Sequence, residues 1–279
     1  KAQTLENLRG KLQHSIVLEQ IQFTQGQWEE EPSRILQEMT TKFYNDKIII
    51  RSSAIEEDSW TQSHAGKFLS KVVDRASDTD SVKNSIALII ECFENNGQNK
   101  HDQIFVQPFL KNVMLSGVLF TRDLETGAHY LVINYDKRAG ETDGVTSGCV
   151  DSLSTYFYYK KASLSDFEEH YLKLINMTSE LEELICHDAL DIEFAIDSDG
   201  ECYLLQIRPM IFNNQQLLVD GQDFDEEIDL VRQTLRNLYK RRPFLYGETT
   251  VFANMPDWNP AEMIGTSPRP LALSLYQYL

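Results

Sequence analysis

The sequence predicts an α+β protein built mainly from antiparallel β-sheets, and three kinds of pattern support this class. Residues 189–210 contain two alternating runs of apolar and polar residues around a polar loop with a glycine, which is typical of a β-hairpin. Further β-type runs follow one another near 103–109, 114–121 and 128–135. Longer stretches elsewhere carry apolar residues at helical spacing, which predicts amphipathic helices beside these strands.

Length and composition are those of a globular protein with one or two domains. The chain has 279 residues, of which 42% are hydrophobic and 25% charged, so it can bury a sizeable core. Its net charge of −17 argues against a nucleic-acid-binding surface, which would need a basic face. A nucleotide site remains compatible with that charge, because a few local cations and Mg²⁺ can hold one triphosphate.

The cysteines and the terminal residues bear on where the protein works. Four cysteines are scattered without a C-x-x-C pair, which predicts reduced thiols in a cytoplasmic protein and no zinc site. The sequence shows neither a signal peptide nor an apolar run long enough to span a bilayer. It begins at Lys1 rather than at Met, so we expect it to be a trimmed piece of a longer protein.

The first third of the chain predicts two helices and a strand. Residues 1–13 place leucines on one face of a short helix, and residues 30–45 place Ile, Met and Phe at the spacing of a buried stripe. The run Ile48 to Ile50 predicts a β-branched strand that ends on Arg51. Arg51 and the serines after it offer hydrogen-bond donors to phosphate oxygens. The alternative is a surface arginine after an edge strand.

Three more helices are predicted between and after the strands. Residues 77–95 begin with Ser77 and Asp80, which resemble a capping box, and continue with a buried stripe. Residues 165–185 lead into the hairpin, and residues 222–241 form an amphipathic helix that ends in basic residues and a proline. The proline-containing tail after it is interpreted as an extended connector. The predicted stripes are Val82, Ile86, Ile89 and Phe93; Phe167, Tyr171, Leu174, Leu181 and Ile185; and Phe224, Ile228, Val231, Leu235 and Leu238.

The hairpin carries the polar groups with the clearest chemistry. If residues 198–201 form its loop, Asp191 lies opposite Arg208 and Glu193 opposite Gln206. A carboxylate beside an amide oxygen suits Mg²⁺, and a nearby arginine suits a phosphate. The alternative is a solvated polar face on a half-buried hairpin. Strict alternation predicts two apolar groups, Ile192, Phe194 and Ile196 on one strand and Tyr203, Leu205 and Ile207 on the other.

The hairpin motif, DIEF followed by LQIRP, resembles the metal-binding end of the ATP-binding domain in the pyruvate phosphate dikinase and phosphoenolpyruvate synthase family. Other family-like segments occur in the same order across residues 1–210. They are RSSA-x-x-ED at 51–58, S-x-AG at 63–66, VQ-x-F-L at 106–110, SGVLFTRD-x-x-TG at 116–127 and a partial G-E-x-x-x-V-x-x-G at 140–148. In the last segment Arg138 and Ala139 replace the family's first Gly-Leu pair.

The resemblance implies an ATP-grasp fold, in which two α+β subdomains with mainly antiparallel sheets enclose a nucleotide cleft. On this basis residues 1–105 form the N-terminal subdomain and residues 106–212 the C-terminal subdomain with the metal-binding hairpin. Residues 213–279 then form a helical extension and a connector toward further domains.

The resemblance also implies the roles of individual residues. Glu193 and Gln206 are expected to bind Mg²⁺, while Arg51, Arg122 and Arg208 neutralise the charge on the transferring phosphate. Lys1 stands where the family has a phosphate-binding lysine, although a frayed terminal lysine is the alternative. The expected nucleotide-binding residues are Lys1, Arg51, Ser52, Gln107, Phe109, Leu110, Thr121 and Arg122.

The implied activity is that of the nucleotide half of a phosphotransferase. Family enzymes pass phosphate from ATP to a histidine on a swivelling domain, and none of the six histidines here lies in the family's T/S-x-H segment. We therefore expect that partner elsewhere in the full-length protein. The alternatives are a degenerate nucleotide-binding regulatory module, the ATP domain of a small-molecule kinase such as a glutamine kinase, and an acidic interaction protein with purely structural hairpins.

Overall fold

The computed structural model describes residues 2–53, 69–95, 101–136, 154–162, 168–210, 221–244, 246–250 and 267–278. The chain divides into two compact units, Lys1–Gly221 and Gln222–Leu279. The first unit contains two antiparallel sheets and several helices, which confirms the α+β class with mainly antiparallel sheets. The division into subdomains at 105/106 stays a prediction.

The first sheet has four strands in the order β1-β4-β2-β3, and each neighbouring pair is antiparallel. The strand that ends in the predicted arginine is β2, and it is an inner strand rather than an edge strand. All six of its residues are buried. The strand bounds are β1 Ile21–Thr24, β2 Ile48–Ser53, β3 Ser70–Val73 and β4 Gln103–Pro108.

Three helices belong to this sheet: α2 (Gln25–Glu30), α3 (Pro32–Phe43) and α4 (Thr79–Asn95). Their apolar residues form one core with Ile48 and Ile50 of β2. The predicted stripes are confirmed, because the following residues are all buried: Ile35, Met39, Phe43, Val82, Ile86, Ile89 and Phe93.

The cap of α4 differs from the predicted Ser77–Asp80 pair. Asp78 accepts hydrogen bonds from the backbone N–H of Ser81 at 3.2 Å and from its hydroxyl at 2.7 Å. These bonds stabilise the ionised form, and the Ser81 hydroxyl contributes most to lowering the pKa of Asp78. The capping carboxylate is therefore one residue later than the predicted serine.

The second sheet has five strands in the order β7-β6-β5-β8-β9. The three consecutive runs predicted between 103 and 135 are confirmed as strands, but the first belongs to the other sheet, so only β5 and β6 pair with each other. The strand bounds are β5 Val113–Phe120, β6 Tyr130–Asp136, β7 Ser154–Tyr159, β8 Leu190–Asp197 and β9 Cys202–Pro209.

The hairpin β8–β9 has the predicted register at its polar end. Asp191 pairs with Arg208, and Glu193 pairs with Gln206. Beyond Glu193 a β-bulge shifts the pairing, so that Phe194 lies opposite Leu204. The prediction that Tyr203, Leu205 and Ile207 share a face was therefore wrong. Leu204 and Ile207 lie in the main core, and Leu205 packs on the opposite face with Ala195 and Val113.

Helices α1 (Ala2–Leu8) and α5 (Glu169–Ile185) pack on the second sheet. The predicted α1 residues Leu5 and Leu8 are buried, and Leu12 packs against the same core. Phe105 of β4 also lies in this core, which joins the first sheet to the second. One face of the β8–β9 hairpin thus packs into this core, while its polar residues share the other face with Ala195 and Leu205.

The second unit contains α7 (Pro270–Tyr278) and nearly all of α6 (Gly221–Tyr239). The helix predicted at 222–241 is confirmed by α6, although Val231 and Leu235 of its apolar stripe are exposed. Over the parts of the chain that the structure covers, every helix is too short or too polar to cross a membrane.

Gly117 of β5 lies against the backbone of β6, with no room for a side chain. A Cβ atom there would lie 2.1 Å from the carbonyl oxygen of Asn134 and 2.9 Å from the Cα atom of Tyr135. Because both neighbours are backbone atoms of β6, the strands would have to separate. We expect Gly117→Ala to lower the free energy of unfolding by about 2–3 kcal/mol, measured by urea denaturation.

The matched control is Gly10→Ala. Gly10 has a φ of +75° but nothing within 4 Å of the added methyl group, so only backbone strain changes. We expect a loss of about 1 kcal/mol there. Equal losses in the two variants would contradict the argument from strand contact.

Candidate functional site

Glu193 and Gln206 form the polar centre of the hairpin. They are directly paired on neighbouring strands, which brings their Cβ atoms to about 5 Å. Gln206 is 3% exposed, and within the described residues its Oε1 atom is buried without a hydrogen-bond partner. An unsatisfied buried acceptor costs about 1–3 kcal/mol, so a cation or donor arriving there would gain from it. Glu193 is half-buried and supplies the negative charge beside it.

Asp191 and Arg208 form the next pair toward the end of the hairpin. The Arg208 Nε donates to Asp191 Oδ2 at 2.7 Å, and the two side chains are 20% and 12% exposed. Both lie on the same face as Glu193 and Gln206, because strand residues two apart share a face. The structure thus brings together four of the residues that the sequence singled out.

An apolar patch adjoins this polar group. Leu110, Val113 and Tyr203 pack with Ala195 and Leu205. Ala195 is two residues from Glu193 along β8, a separation of about 6.6 Å. Leu110, expected at a purine pocket, therefore packs on the same face of the sheet as the predicted metal ligands.

Phe109 lies between the two sheets in sequence and is tied back to the first one. Its backbone N–H donates to the Lys47 carbonyl at 2.7 Å. The Lys47 Nζ atom lies 4.5 Å from the Phe109 ring centroid, within the range of a cation–π contact. This connection holds one predicted purine-binding residue close to β2.

The second predicted cluster lies on β2 and β4 of the first sheet. Arg51 is 9% exposed, and its Nε atom is buried without a hydrogen-bond partner in the described part of the chain. Gln107 is on the same face, since Ile49 pairs with Gln107 and Arg51 with Phe105. Gln107 donates a long hydrogen bond of 3.5 Å to Gln20. An anion approaching this face would find an unsatisfied guanidinium donor.

Ser52 does not share that face. Ser52 pairs with Ile104, whose side chain lies in the core of the first sheet. The backbone N–H and the hydroxyl of Ser52 both donate to the Leu69 carbonyl. Ser53 shares the face of Arg51; the sequence offered both serines as phosphate donors but named only Ser52 as a nucleotide-binding residue. The period of two along a strand was the signal that distinguishes them, since it places residues 51 and 53 together.

The start of the chain reaches the same face. The backbone N–H of Ala2 donates to the Ser53 hydroxyl at 3.2 Å, and its carbonyl accepts from Gln20 Nε2 at 2.7 Å. Lys1 itself lies outside the described residues. Ala2, the next residue in the chain, is thus bound to Ser53, which follows Arg51 by two residues on the same strand. This position is compatible with the prediction that Lys1 lies near a phosphate.

Thr121 and Arg122 are engaged within the protein. The Thr121 hydroxyl is fully buried, donates to the Asp188 carbonyl at 2.8 Å and accepts from the Leu190 N–H at 2.7 Å. The expected contact of Thr121 with a nucleotide does not fit this burial. Arg122 donates to the Gly127 carbonyl at 3.1 Å and pairs with the Asp188 carboxylate. Burial alone would raise the pKa of Asp188, but the Arg122 guanidinium holds it below its ordinary value.

Several expected motif segments cannot be placed. The stretches 54–68 and 137–150, which carry the remaining parts of RSSA-x-x-ED, S-x-AG and the glycine loop, lie outside the described residues. Within the described segments, no three His, Cys, Asp or Glu side chains cluster in a way that could hold a metal ion. A depression of about 370 Å³ between α3 and α4 contains none of the predicted site residues.

The chain was compared with known families, proteins and structures. No protein-family model matches it, and no curated protein does. It is similar in structure to D-alanyl-alanine synthetase A from Vibrio cholerae, with 10% identity over 76% of this chain and 55% of that one and a TM-score of 0.38. It is also similar to the VanG D-Ala:D-Ser ligase from Enterococcus faecalis, with 10% identity over 75% and 50% and a TM-score of 0.41.

A third similar structure is a RiPP-associated ATP-grasp ligase from Chryseobacterium gregarium, in complex with ADP and a leader and core peptide. Here the identity is 13% over 84% of this chain and 60% of that one, with a TM-score of 0.40. The chain thus spans between half and three fifths of the length of these proteins. What the structure itself establishes is an α+β protein with two antiparallel sheets and a polar hairpin face.

Proposed function

We propose that this chain has an ATP-grasp fold and is the ATP- and Mg²⁺-binding part of a phosphotransferase similar to pyruvate phosphate dikinase and phosphoenolpyruvate synthase. The observation that carries the proposal is the pairing of Glu193 with Gln206, whose buried Oε1 atom has no partner among the described residues. A divalent-cation site explains an unsatisfied acceptor buried beside a carboxylate better than a solvated polar face does.

The sparse ligand set is suited to Mg²⁺ in particular. Mg²⁺ usually takes one or two protein carboxylates together with substrate phosphates and water, and does not need a complete protein cage. Glu193 and Gln206 would hold it from neighbouring strands. The absence of a three-residue cluster of His, Cys, Asp or Glu in the described segments is compatible with this. Bound there, the ion would neutralise phosphate charge and orient the transferring phosphoryl group.

The arginines would supply the remaining positive charge. Arg208 is held by Asp191 at 2.7 Å, so its guanidinium is oriented before any ligand arrives. Arg51 offers a buried donor without a partner in the described part of the chain. Phosphoryl transfer depends mainly on positioning and charge stabilisation, so these side chains suffice without a protein nucleophile. Lys1 and Arg122 are further candidates for phosphate contacts.

The apolar patch beside Glu193 would hold the purine. Leu110 packs there against Ala195 and Leu205, and Phe109 and Gln107 are close to it in the chain. A base needs an apolar slot with a few hydrogen-bonding groups. The phosphate would then pass to a histidine on a swivelling domain of the full-length protein. A small-molecule kinase and a regulatory nucleotide-binding module remain the alternatives.

Calorimetric titration of the folded chain with ATP tests the proposal. We expect a dissociation constant between about 1 µM and 1 mM in the presence of Mg²⁺, the range typical of enzyme substrates. Binding should weaken at least about 10-fold when EDTA removes the metal. Folded protein that shows no nucleotide binding would overturn the proposal and favour an acidic interaction protein.

A turnover assay on the full-length protein separates the candidate activities. Exchange of label between AMP and ATP would identify dikinase chemistry, because that reaction releases AMP. ADP as the only product would favour a kinase that phosphorylates a small molecule directly. Nucleotide binding without turnover or exchange would favour a regulatory module.

A further inference from the structure

Thr121 follows the last residue of β5 and is bound to the beginning of β8. Its hydroxyl donates to the Asp188 carbonyl and accepts from the Leu190 N–H, at 2.8 and 2.7 Å. Its own backbone N–H donates to the Leu190 carbonyl at 2.9 Å. Thr121 is 0% exposed, and the bond from the Leu190 N–H to its hydroxyl is buried, while the bond to the Asp188 carbonyl is part-buried. One buried residue therefore satisfies three backbone groups at the point where β8 begins.

The adjacent Arg122 strengthens the same connection. It pairs with the Asp188 carboxylate and donates to the Gly127 carbonyl in the turn after β5. The segment before β8 is thus held at Asp188 and Leu190 from one short piece of chain. Such a double attachment restricts how β8 can slide or rotate on β5.

Glu193 belongs to the strand that this attachment holds, and its pairing with β5 is continuous from Leu115 to Phe120. Glu193 lies three residues after Leu190 in the same strand, opposite Val118 of β5. On its other side the ladder with β9 is interrupted by the bulge between Glu193 and Phe194. A bulge locally disrupts the ladder and bends its strand. Relative to β9, the register at Glu193 therefore continues without a shift from the beginning of β8, whereas the bulge separates it from the hairpin loop.

We infer that Thr121 is a positioning residue, whose hydroxyl sets the place of Glu193 so that Glu193 and Gln206 share one cation. The inference rests on the proposed function. In this inference Thr121 does not contact the nucleotide directly but positions Glu193 through β8. Groups that orient metal ligands in this way affect metal affinity by about 10- to 100-fold in known metal sites.

The variant Thr121→Val tests the role, because Val keeps the shape and removes the hydroxyl. We expect the Mg²⁺ concentration needed for half-maximal ATP binding to rise about 10- to 100-fold, with ATP binding in EDTA unchanged. In the ligand-free chain, hydrogen exchange of the amides at 190–193 should become faster. Thr121→Ser, which keeps the hydroxyl, should restore both readouts. The measurements are calorimetry at a series of Mg²⁺ concentrations and hydrogen exchange followed by mass spectrometry.

Thr178→Val is the matched control. Thr178 is also buried, at 1% exposure, and its hydroxyl donates to the Leu174 carbonyl within α5 at 2.7 Å. Loss of that hydroxyl should lower stability without changing the Mg²⁺ requirement. If Thr121→Val behaves in the same way, with a lower melting temperature and an unchanged Mg²⁺ requirement, Thr121 is only structural and the inference is overturned.

Three further outcomes decide the remaining cases. If Thr121→Val does not fold, Thr121→Cys takes its place, because a thiol is a weaker hydrogen-bond partner. A Cys variant with the Mg²⁺ requirement of the Ser variant would overturn the inference. If the unaltered chain shows no Mg²⁺-dependent ATP binding, the proposed function fails and the inference falls with it. Mg²⁺-dependent binding that is unaffected by loss of the hydroxyl overturns the inference alone.

Discussion

Glu193→Gln should weaken Mg²⁺-dependent ATP binding by about 100-fold or more while leaving the fold intact. The change removes one negative charge and almost no volume. Gln206 opposite it is neutral, so the pair would lose its only formal charge. Two amide oxygens are a poor match for a hard divalent cation that requires dehydration. Calorimetry with Mg-ATP and circular dichroism of the same sample measure the two effects.

Glu201→Gln is the matched control for this variant. Glu201 belongs to the same hairpin but lies in its loop and is exposed. The same charge is removed at the opposite end of β8, so any general effect of the protein's negative charge is reproduced. We expect Mg-ATP binding to change less than about 2-fold, because exposed charges this far apart are screened by salt. Equal losses in both variants, or no loss in Glu193→Gln, would reject the metal site.

The polar end of the hairpin was predictable because its signals are local. Alternation of polar and apolar residues and a glycine-containing loop together determine which residues pair. A four-residue loop at 198–201 predicts Asp191 opposite Arg208 and Glu193 opposite Gln206. In the structure Ile196 lies opposite Cys202 near the loop, so these two pairs are reached only through the bulge after Glu193. The bulge was not predictable. Leu204 and Leu205 are both apolar, so the sequence contains no contrast to indicate which of them faces the main core.

Non-local features were the ones that sequence reasoning missed. The strand Gln103–Pro108 is followed directly by β5, yet its hydrogen-bonded partners are β1 and β2, which lie far back in the chain. No nearby residue encodes that choice, since it depends on which sheet edges are available after folding. The engagement of Thr121 by Asp188 and Leu190 is equally non-local, at 67 and 69 residues of separation. A family-like motif singled out Thr121 but did not indicate the direction of its hydroxyl.

The pair of Asp191 and Arg208 gives the second large expected effect, on stability. Arg208→Met should lower the free energy of unfolding by about 3–4 kcal/mol, because it removes the guanidinium that donates to the largely buried Asp191 carboxylate at 2.7 Å. The Asp191 side chain is only 12% exposed, so water compensates for little of that loss. Urea denaturation with and without the change measures it. Arg9→Met is the control, since Arg9 pairs with Glu6 at the same distance of 2.7 Å but at 37% and 30% exposure.

The double variant Asp191→Asn/Arg208→Met separates the cost of an uncompensated charge from the value of the contact. Removing both charges leaves no buried ion, so we expect stability to return to within about 1 kcal/mol of the unaltered chain. The exposed Arg9 control should lose no more than about 1 kcal/mol. A double variant as unstable as Arg208→Met would mean that packing by the arginine stem, rather than charge, holds the hairpin end together. If stability returns while Mg-ATP binding is lost, the pair is dispensable for folding and its side chains serve the ligand.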